Sequence, residues 1–247
     1  MKTNNEPDRV RAAIVGHGRM GREIDRLAPS RQIEIVARFG SGSPLAISAG
    51  SDIDVAIEFT RPDAVVGNIR TLLKAGVPVV VGTTGWLSDL ESVTAEVERH
   101  RGRIVYASNF SIGVNIFFRI IAEAARLVDA QPMYDAAIHE IHHTGKADSP
   151  SGTALSAARI VLDALARKST ILSEPSHGAI DPQALHVSSQ RLGSTVGTHS
   201  VAFDSDADTI EITHRAKNRE GFALGALMAA RWIVRQEPGI YRFEEIF

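Results

Sequence analysis

The stretch "RAAIVGHGRMGREIDRLA" (residues 11–28) sets a short β-rich run directly before Gly16-x-Gly18-x-x-Gly21 and a helical pattern directly after it. A strand, a tight glycine turn and a helix in immediate succession leave few choices. They begin a βαβ unit, whose return strand must run parallel to the first. The next segments continue that rhythm. "IEIVA" (33–37) and "VAIEF" (55–59) read as strands, and Pro62 opens a helix that Gly76 closes. "VPVVVG" (77–82) and "RIVYA" (103–107) are two further strands, and Ser88 and Glu91 between them have the spacing of a capping box for a helix to about Arg101. The strands show little polar alternation, as expected of a parallel sheet covered on both faces. The fold class predicted is α/β, a Rossmann-type doubly wound parallel sheet.

The pattern then changes. A helix is expected over about 114–128, followed by "YDAAIHEIHH" with strand character and a helix starting near Ser151. Three strand-like runs, "HVSSQRL", "THSVAF" and "DTIEITHRA", follow without helices between them, which predicts a second, smaller α+β domain on a mixed sheet. The helical "GFALGALMAARWIV" (221–234) is apolar enough to return to the first domain. Two lobes are expected, the chain forming the first over residues 1–110, the second over 111–218, and returning to the first over 219–247.

Composition narrows the function classes. Twenty-seven basic against 29 acidic residues imply no nucleic-acid partner, and the absence of cysteine removes thiolate chemistry and disulfides. The polar start "MKTNNEPDRV" has no signal-peptide apolar core, and no apolar run is long enough to span a membrane, so a cytoplasmic protein is expected.

The glycine turn, Gly16, His17, Gly18, Arg19, Met20 and Gly21, would let backbone N–H groups at a helix start approach a pyrophosphate. The second strand ends in Ala37-Arg38, where an NAD-preferring site usually carries a carboxylate for the ribose hydroxyls. Arg38, helped by Arg19, suits a 2′-phosphate, so NADPH is the expected cofactor, with NADH possible. "VGTTGW" (81–86) and "ASNFSIG" (107–113) end strands with small and amide residues and would line the nicotinamide side of the crevice.

"HHTGKADSPSGTALS" (142–156) crowds two histidines, a lysine, an aspartate and a turn into fifteen residues. His139-Glu140-Ile141-His142-His143 matches the zinc-peptidase pattern H-E-x-x-H, but that pattern works on a helix, and these residues have strand character. No metal is assigned. The segment reads instead as an anion site. His142, His143 and Lys146 supply cationic or donor groups, and the first amides of the next helix, near Gly152 and Thr153, with the Thr153 hydroxyl, complete a carboxylate cradle. Histidines beside a second carboxylate are expected to titrate near neutrality, where a general acid works. A small dicarboxylate next to a nicotinamide is the ligand these groups suit.

These segments together resemble the dihydrodipicolinate reductase family. "GRMG" (18–21), "EFTRP" (58–62), "VGTTG" (81–85), "SNFSIGVN" (108–115), "EIHHTGKADSPSGTA" (140–154) and "EITHRAKNREGFALGAL" (211–227) look like its signatures, in its order, over nearly the whole chain. The resemblance implies NAD(P)H-dependent reduction of 4-hydroxy-tetrahydrodipicolinate, a cyclic imine-containing dicarboxylate, in diaminopimelate and lysine biosynthesis. It implies that residues 1–110 with 219–247 bind the dinucleotide and that residues 111–218 bind substrate and build a homotetramer, and two lobes so joined would close over the substrate at their hinges. It further implies His142 as proton donor and Lys146 as a second donor that also steadies developing charge. His143, Gly152 and Thr153 would bind substrate carboxylates. Gly82, Thr83 and Thr84, with Ala107, Ser108, Asn109 and Phe110, would hold the nicotinamide and its ribose. The chain departs from the pattern at Ala37, Glu58 and Ser149 and in a short stretch from Gly40 to Asp54. Another nicotinamide dehydrogenase of small amino or imino dicarboxylic acids, a zinc hydrolase and a non-catalytic NADPH sensor are the competing classes.

Overall fold

The computed structural model describes residues 9–40, 42–43 and 45–247. The polar start noted above, up to Asp8, lies outside the described residues. The chain folds into two units, one running to Ile112 and resuming at Arg219, the other Gly113–Asn218.

In the first unit β1 (Val10–Val15), β2 (Ile33–Phe39), β3 (Val55–Glu58), β4 (Val79–Val81) and β5 (Arg103–Tyr106) alternate with α1 (Arg19–Leu27), α2 (Pro62–Lys74) and α3 (Leu90–His100). Alternate strand residues serve opposite faces. Ala12, Ile14, Ile57, Val80 and Val105 pack against α1 and the chain's last helix, while Ala13, Val15, Ala56, Val79, Val81 and Ile104 pack against α2 and α3. Burial on both faces removes any reason for polar alternation, and each buried aliphatic contributes about 1.5–3 kcal/mol. Pro62 stands in the first turn of α2, and Gly76 takes a left-handed turn (φ 76°) after it.

The second unit contains α4 (Ile112–Asp129, its first residue still in the first unit), β6 (Asp135–His142), α5 (Gly152–Ala164), β7 (Thr170–Leu172), β8 (Ala184–Arg191), β9 (Gly197–Asp204) and β10 (Thr209–Ala216). Among the described residues its sheet has the order β10-β9-β6-β8-β7, with β6 antiparallel to β9 and parallel to β8. Ala136, Ile138, Leu185, Val187, Val201 and Phe203 form one buried layer with Phe117 and Ile121 of α4 and Ala154 and Ala158 of α5. The alanines of α5 let that helix lie close to the strands.

The chain returns through α6 (Glu220–Ile233) to β11 (Gly239–Arg242), completing a parallel sheet of order β11-β5-β4-β3-β1-β2. The strand order reverses at β1, so the crevice for a ligand opens at the carboxyl ends of β1 and β3, where the glycine turn lies. No described helix is long and apolar enough to cross a membrane.

The local differences from expectation have physical causes. Ser88 is not a helix cap: it lies within a 3-10 turn, Leu87–Asp89, and α3 starts after Asp89 with no side-chain cap. The neighbouring Trp86 is buried edge-on against Tyr106, which draws the chain into that turn first. Strands β7 and β11 carry no alternation of their own and are defined by pairing to β8 and β5.

Candidate active site

The nucleotide-side residues are brought together by the carboxyl ends of β1, β3, β4 and β5. Gly16 has φ 98°, and a side chain there would overlap the Phe59 carbonyl. A side chain at Gly21 would overlap the Gly16 carbonyl, whereas one at Gly18 would meet nothing. Two glycines therefore serve the turn and one leaves open space over the start of α1, whose N-cap, Gly18, makes no side-chain capping bond. Uncapped amides beside open space are what a pyrophosphate needs, so the residues present fit a dinucleotide.

Arg38 reaches α1 at Asp25, in the last turn of that helix, and is engaged there. Its Nε and Nη2 donate to the two Asp25 oxygens at 2.6 and 2.7 Å, and His17 Nε2 lies 3.0 Å from Asp25 Oδ2. The Arg38 hydrogen bonds hold Asp25 below the usual carboxylate range, outweighing its partial burial. Arg19 is exposed, and Met20 packs on the core beside α1.

At β4 and β5 a cavity of about 110 Å³ is lined by Thr83, Thr84, Trp86, Tyr106, Ala107 and Ser108, together with Arg242 and Glu244. Thr83 is itself a brace, its Oγ1 accepting from Thr60 N at 2.7 Å. Gly82 lies under the Phe59 ring, where no side chain would fit. Asn109 Oδ1 accepts from Ser111 N at 2.8 Å and closes the turn after β5. The Phe110 ring is buried between Phe59 and Phe243, and its carbonyl abuts Gly225.

Beneath this edge lies Glu58, fully buried at the end of β3. It accepts from Thr60 Oγ1 and from Asn68 Nδ2 (3.2 Å), and burial pushes its pKa up despite those bonds. A lone glutamate in a strand gives no sequence signal of such burial, and Arg242 and Glu244, at the end of β11 and in the 3-10 turn Phe243–Ile246 after it, carry no local signal either.

The second cluster belongs to the second unit. In β6, Glu140 and His142 lie on the buried face and His139 on the opposite one, where its Nδ1 meets Ser188 Oγ at 2.9 Å. The H-E-x-x-H pattern thus spans an extended strand, and His139 and His143 do not share a face with Glu140. Cross-strand register places Ser189 and Arg191 of β8 and His199 of β9 around the Glu140 carboxylate. Its Oε1 accepts from Ser151 N (3.0 Å), Ser189 Oγ (2.9 Å) and both Arg191 terminal nitrogens (3.3 Å). Its Oε2 lies 3.3 Å from His142 Nδ1 and 3.5 Å from His199 Nε2.

Burial alone would raise the Glu140 pKa. The bonds from His199, Ser151 and Ser189 outweigh it and hold the carboxylate ionised, well below the usual range. His142 is pushed down to about 4 by desolvation, aided by the charges of His199, Lys146 and Arg191 and opposed by Glu140. The expectation of titration near neutrality does not hold for His142 in this geometry, because burial costs the imidazolium more than one carboxylate returns. Glu140, His142 and His199 are also close enough to share a cation, their ligand atoms lying within 4.8 Å, but Arg191 already neutralises the carboxylate.

Ser151 caps α5, its Oγ accepting from Ala154 N at 3.2 Å, and so ties the helix start to Glu140. Lys146 Nζ donates to Asp148 Oδ1 at 2.7 Å, and Asp148 is held low by Lys146 and by the Gly152 amide. Gly152 is exposed, with open space where its side chain would be, and Thr153 follows it on the first turn of α5. His143 is half-buried at the start of the turn that Lys146 N closes onto its carbonyl (3.1 Å). The structure therefore gathers His142, His143, Lys146, Gly152 and Thr153 at the end of β6, the turn after it and the start of α5, and sets beside Glu140 two residues that no local pattern announced, Arg191 and His199.

Comparison with known proteins agrees with these signatures. Residues 10–110 match the family description "Dihydrodipicolinate reductase, N-terminus", and residues 113–247 match "Dihydrodipicolinate reductase, C-terminus". The chain belongs to the dihydrodipicolinate reductase family. It is 38% identical to the 4-hydroxy-tetrahydrodipicolinate reductase of Christiangramia forsetii, over 95% of this chain and 96% of that protein. It is 35% identical to that of Methanosarcina acetivorans, over 96% and 98%. Among solved structures, a dipicolinate-bound dihydrodipicolinate reductase from Paenisporosarcina sp. TG-14 shares the fold, with TM-score 0.76, 24% identity and coverage of 96% of this chain and 99% of that one. An amine dehydrogenase from Mycobacterium smegmatis shares it less closely (TM-score 0.60, 13% identity, coverage of 97% and 96%). The fold is thus common to several chemistries and does not by itself set the reaction.

Proposed function

We propose that this chain reduces 4-hydroxy-tetrahydrodipicolinate to tetrahydrodipicolinate with NAD(P)H, in the diaminopimelate route to lysine. The observation that carries the reading is the joining of His142, Lys146 and the head of α5 into one polar group, in a chain whose two halves both match the reductase family. The Gly16–Gly21 turn and the α1 amides hold the pyrophosphate, and Gly82–Thr84 with Ala107–Asn109 hold the nicotinamide half. The reduced nicotinamide, when bound, supplies a hydride to a ring carbon of the substrate.

The protein's own groups do the rest. His143, Lys146, Gly152 and Thr153 grip the two carboxylates. Their negative charge, brought beside His142, offsets the desolvation that keeps the ring neutral and lets it take up a proton. The substrate's 4-hydroxyl leaves as water with a hydrogen of the adjacent ring carbon, which makes the ring conjugated; after hydride addition His142 passes its proton to the carbon next in conjugation, so that overall one hydride and one proton are added and one water is lost. Lys146 steadies the charge that develops meanwhile. Arg38 supports NADPH over NADH, with Asp25 orienting its guanidinium. The working form proposed is a homotetramer in the cytoplasm.

The test is to mix the protein with NADPH and freshly generated aldol product of pyruvate and aspartate semialdehyde. Loss of nicotinamide absorbance that needs both reactants is the expected result. No loss, or equal loss with other imino dicarboxylates, would overturn the substrate assignment. In the same assay Arg38→Ala should raise KM for NADPH and leave that for NADH unchanged.

A further inference from the structure

Two buried polar atoms in the second unit face each other without an aligned hydrogen bond. Glu140 Oε2 and His142 Nδ1 are 3.3 Å apart, and neither makes an aligned hydrogen bond among the described residues; the other group near Oε2 is His199 Nε2, at 3.5 Å. Leaving such atoms unmatched costs about 1–3 kcal/mol each, and the nearest complement of each is the other. A small rotation of the imidazole closes the pair. The carboxylate itself cannot turn away, because Ser189, Arg191 and the Ser151 amide hold its other oxygen.

The far edge of the ring is also accounted for. Gly197 opens β9, one residue before Thr198, which pairs with Ile141. A side chain at 197 would put its Cβ 3.0 Å from His142 Nε2 and 3.4 Å from Cδ2. The backbone there is not left-handed, so conformation does not demand glycine. Space does.

We propose that Glu140 is a positioning residue for His142: its Oε2 accepts the Nδ1 hydrogen, which leaves Nε2, over Gly197, as the nitrogen that exchanges a proton with the substrate. This rests on the reductase reading above and adds the orientation of its proton donor. The carboxylate fixes the tautomer and the ring plane and raises the basicity of Nε2, as a hydrogen-bonded carboxylate does for an imidazole elsewhere. The charged and titratable groups around the ring are Glu140 on β6, Arg191 on β8, His199 on β9 and Lys146 in the following turn. Of these only Glu140 favours the imidazolium.

The experiment uses the full chain, NADPH and the aldol product. Glu140→Gln should lower kcat about ten- to hundred-fold while NADPH affinity is kept. The alkaline limb of kcat, where the proton donor is lost, should move to lower pH by about one unit because a favourable negative charge has gone. A kcat within about twofold of wild type with an unmoved limb would overturn the role. Gly197→Ala should lower kcat with NADPH affinity intact, and wild-type kinetics in that variant would overturn the assignment of Nε2.

Long-range proton–nitrogen spectra of the wild-type protein give a readout that needs neither turnover nor a folded variant. A His142 ring protonated at Nδ1 supports the proposal, and one protonated at Nε2 overturns it. If the wild type consumes no NADPH, the substrate reading has failed, and the spectra still decide the Glu140–His142 pair.

Discussion

His142 shows how far a residue's surroundings can move its chemistry. As an exposed imidazole it would be partly charged at neutral pH, yet in the folded site burial holds it at about 4. A dicarboxylate docking beside it must then draw a proton in from solvent, since nearby negative charge favours the imidazolium. Binding of dipicolinate to the NADPH complex should accordingly take up protons and tighten as the pH falls from 8 to 6. Calorimetry in buffers of different ionisation heat measures that uptake directly. His142→Gln should abolish it, and uptake that persists in this variant would place the proton elsewhere. Lys146 differs, since its partner Asp148 is local, two residues along the chain, and exposed. The sequence made both residues legible as chemistry, because no core has use for them together, but the depressed basicity of His142 came from burial that no residue pattern displays.

At the scale of elements, the strand–turn–helix of β1 and α1 separates two uses of glycine. Gly16→Ala puts a side chain onto the Phe59 carbonyl in a left-handed backbone and should cost about 2–4 kcal/mol of stability. Gly18→Ala meets open space and should cost only about 0.5–1 kcal/mol through the weaker N-cap. Its effect should appear instead in NADPH affinity, weakened by about tenfold or more. Thermal melts beside nucleotide titrations check the contrast, and a Gly18→Ala protein with wild-type affinity would remove the pyrophosphate from the turn. The strands of the parallel sheet were legible because two-faced burial leaves continuous apolar runs. Strand β6 was legible because its alternation puts Glu140 and His142 on one face. The Ser88 cap failed because Trp86 found a buried partner in Tyr106 and pulled the chain into a tight turn ahead of the helix. A local capping pattern competes with tertiary packing, and here packing is worth more.

For the whole molecule, the buried cluster makes acid a specific stress. His142 has a folded pKa of about 4 against an ordinary value of 6.5, so between those values the unfolded chain binds a proton that the folded one refuses. Stability falls as the pH drops through that window, by about 3 kcal/mol at most. Glu140 acts next, because its folded pKa is depressed, and the stability it adds above its unfolded value of about 4.5 is lost below it. The melting temperature should therefore decline from pH 7 to 4, and the decline should be shallower in His142→Gln. A melting curve flat across that range would contradict the burial of the pair as a stability term. The sequence by itself determined the fold class, the glycine turn and the identity of the polar segment after β6, because each depends on residues near one another along the chain. Only the tertiary structure decided that Glu140 is the anchor of His142, that Arg191, His199 and Gly197 enclose that pair, and that Phe110 belongs to the core. Those relations join strands dozens of residues apart, and register across a sheet is fixed by the burial of whole faces rather than by any local pattern.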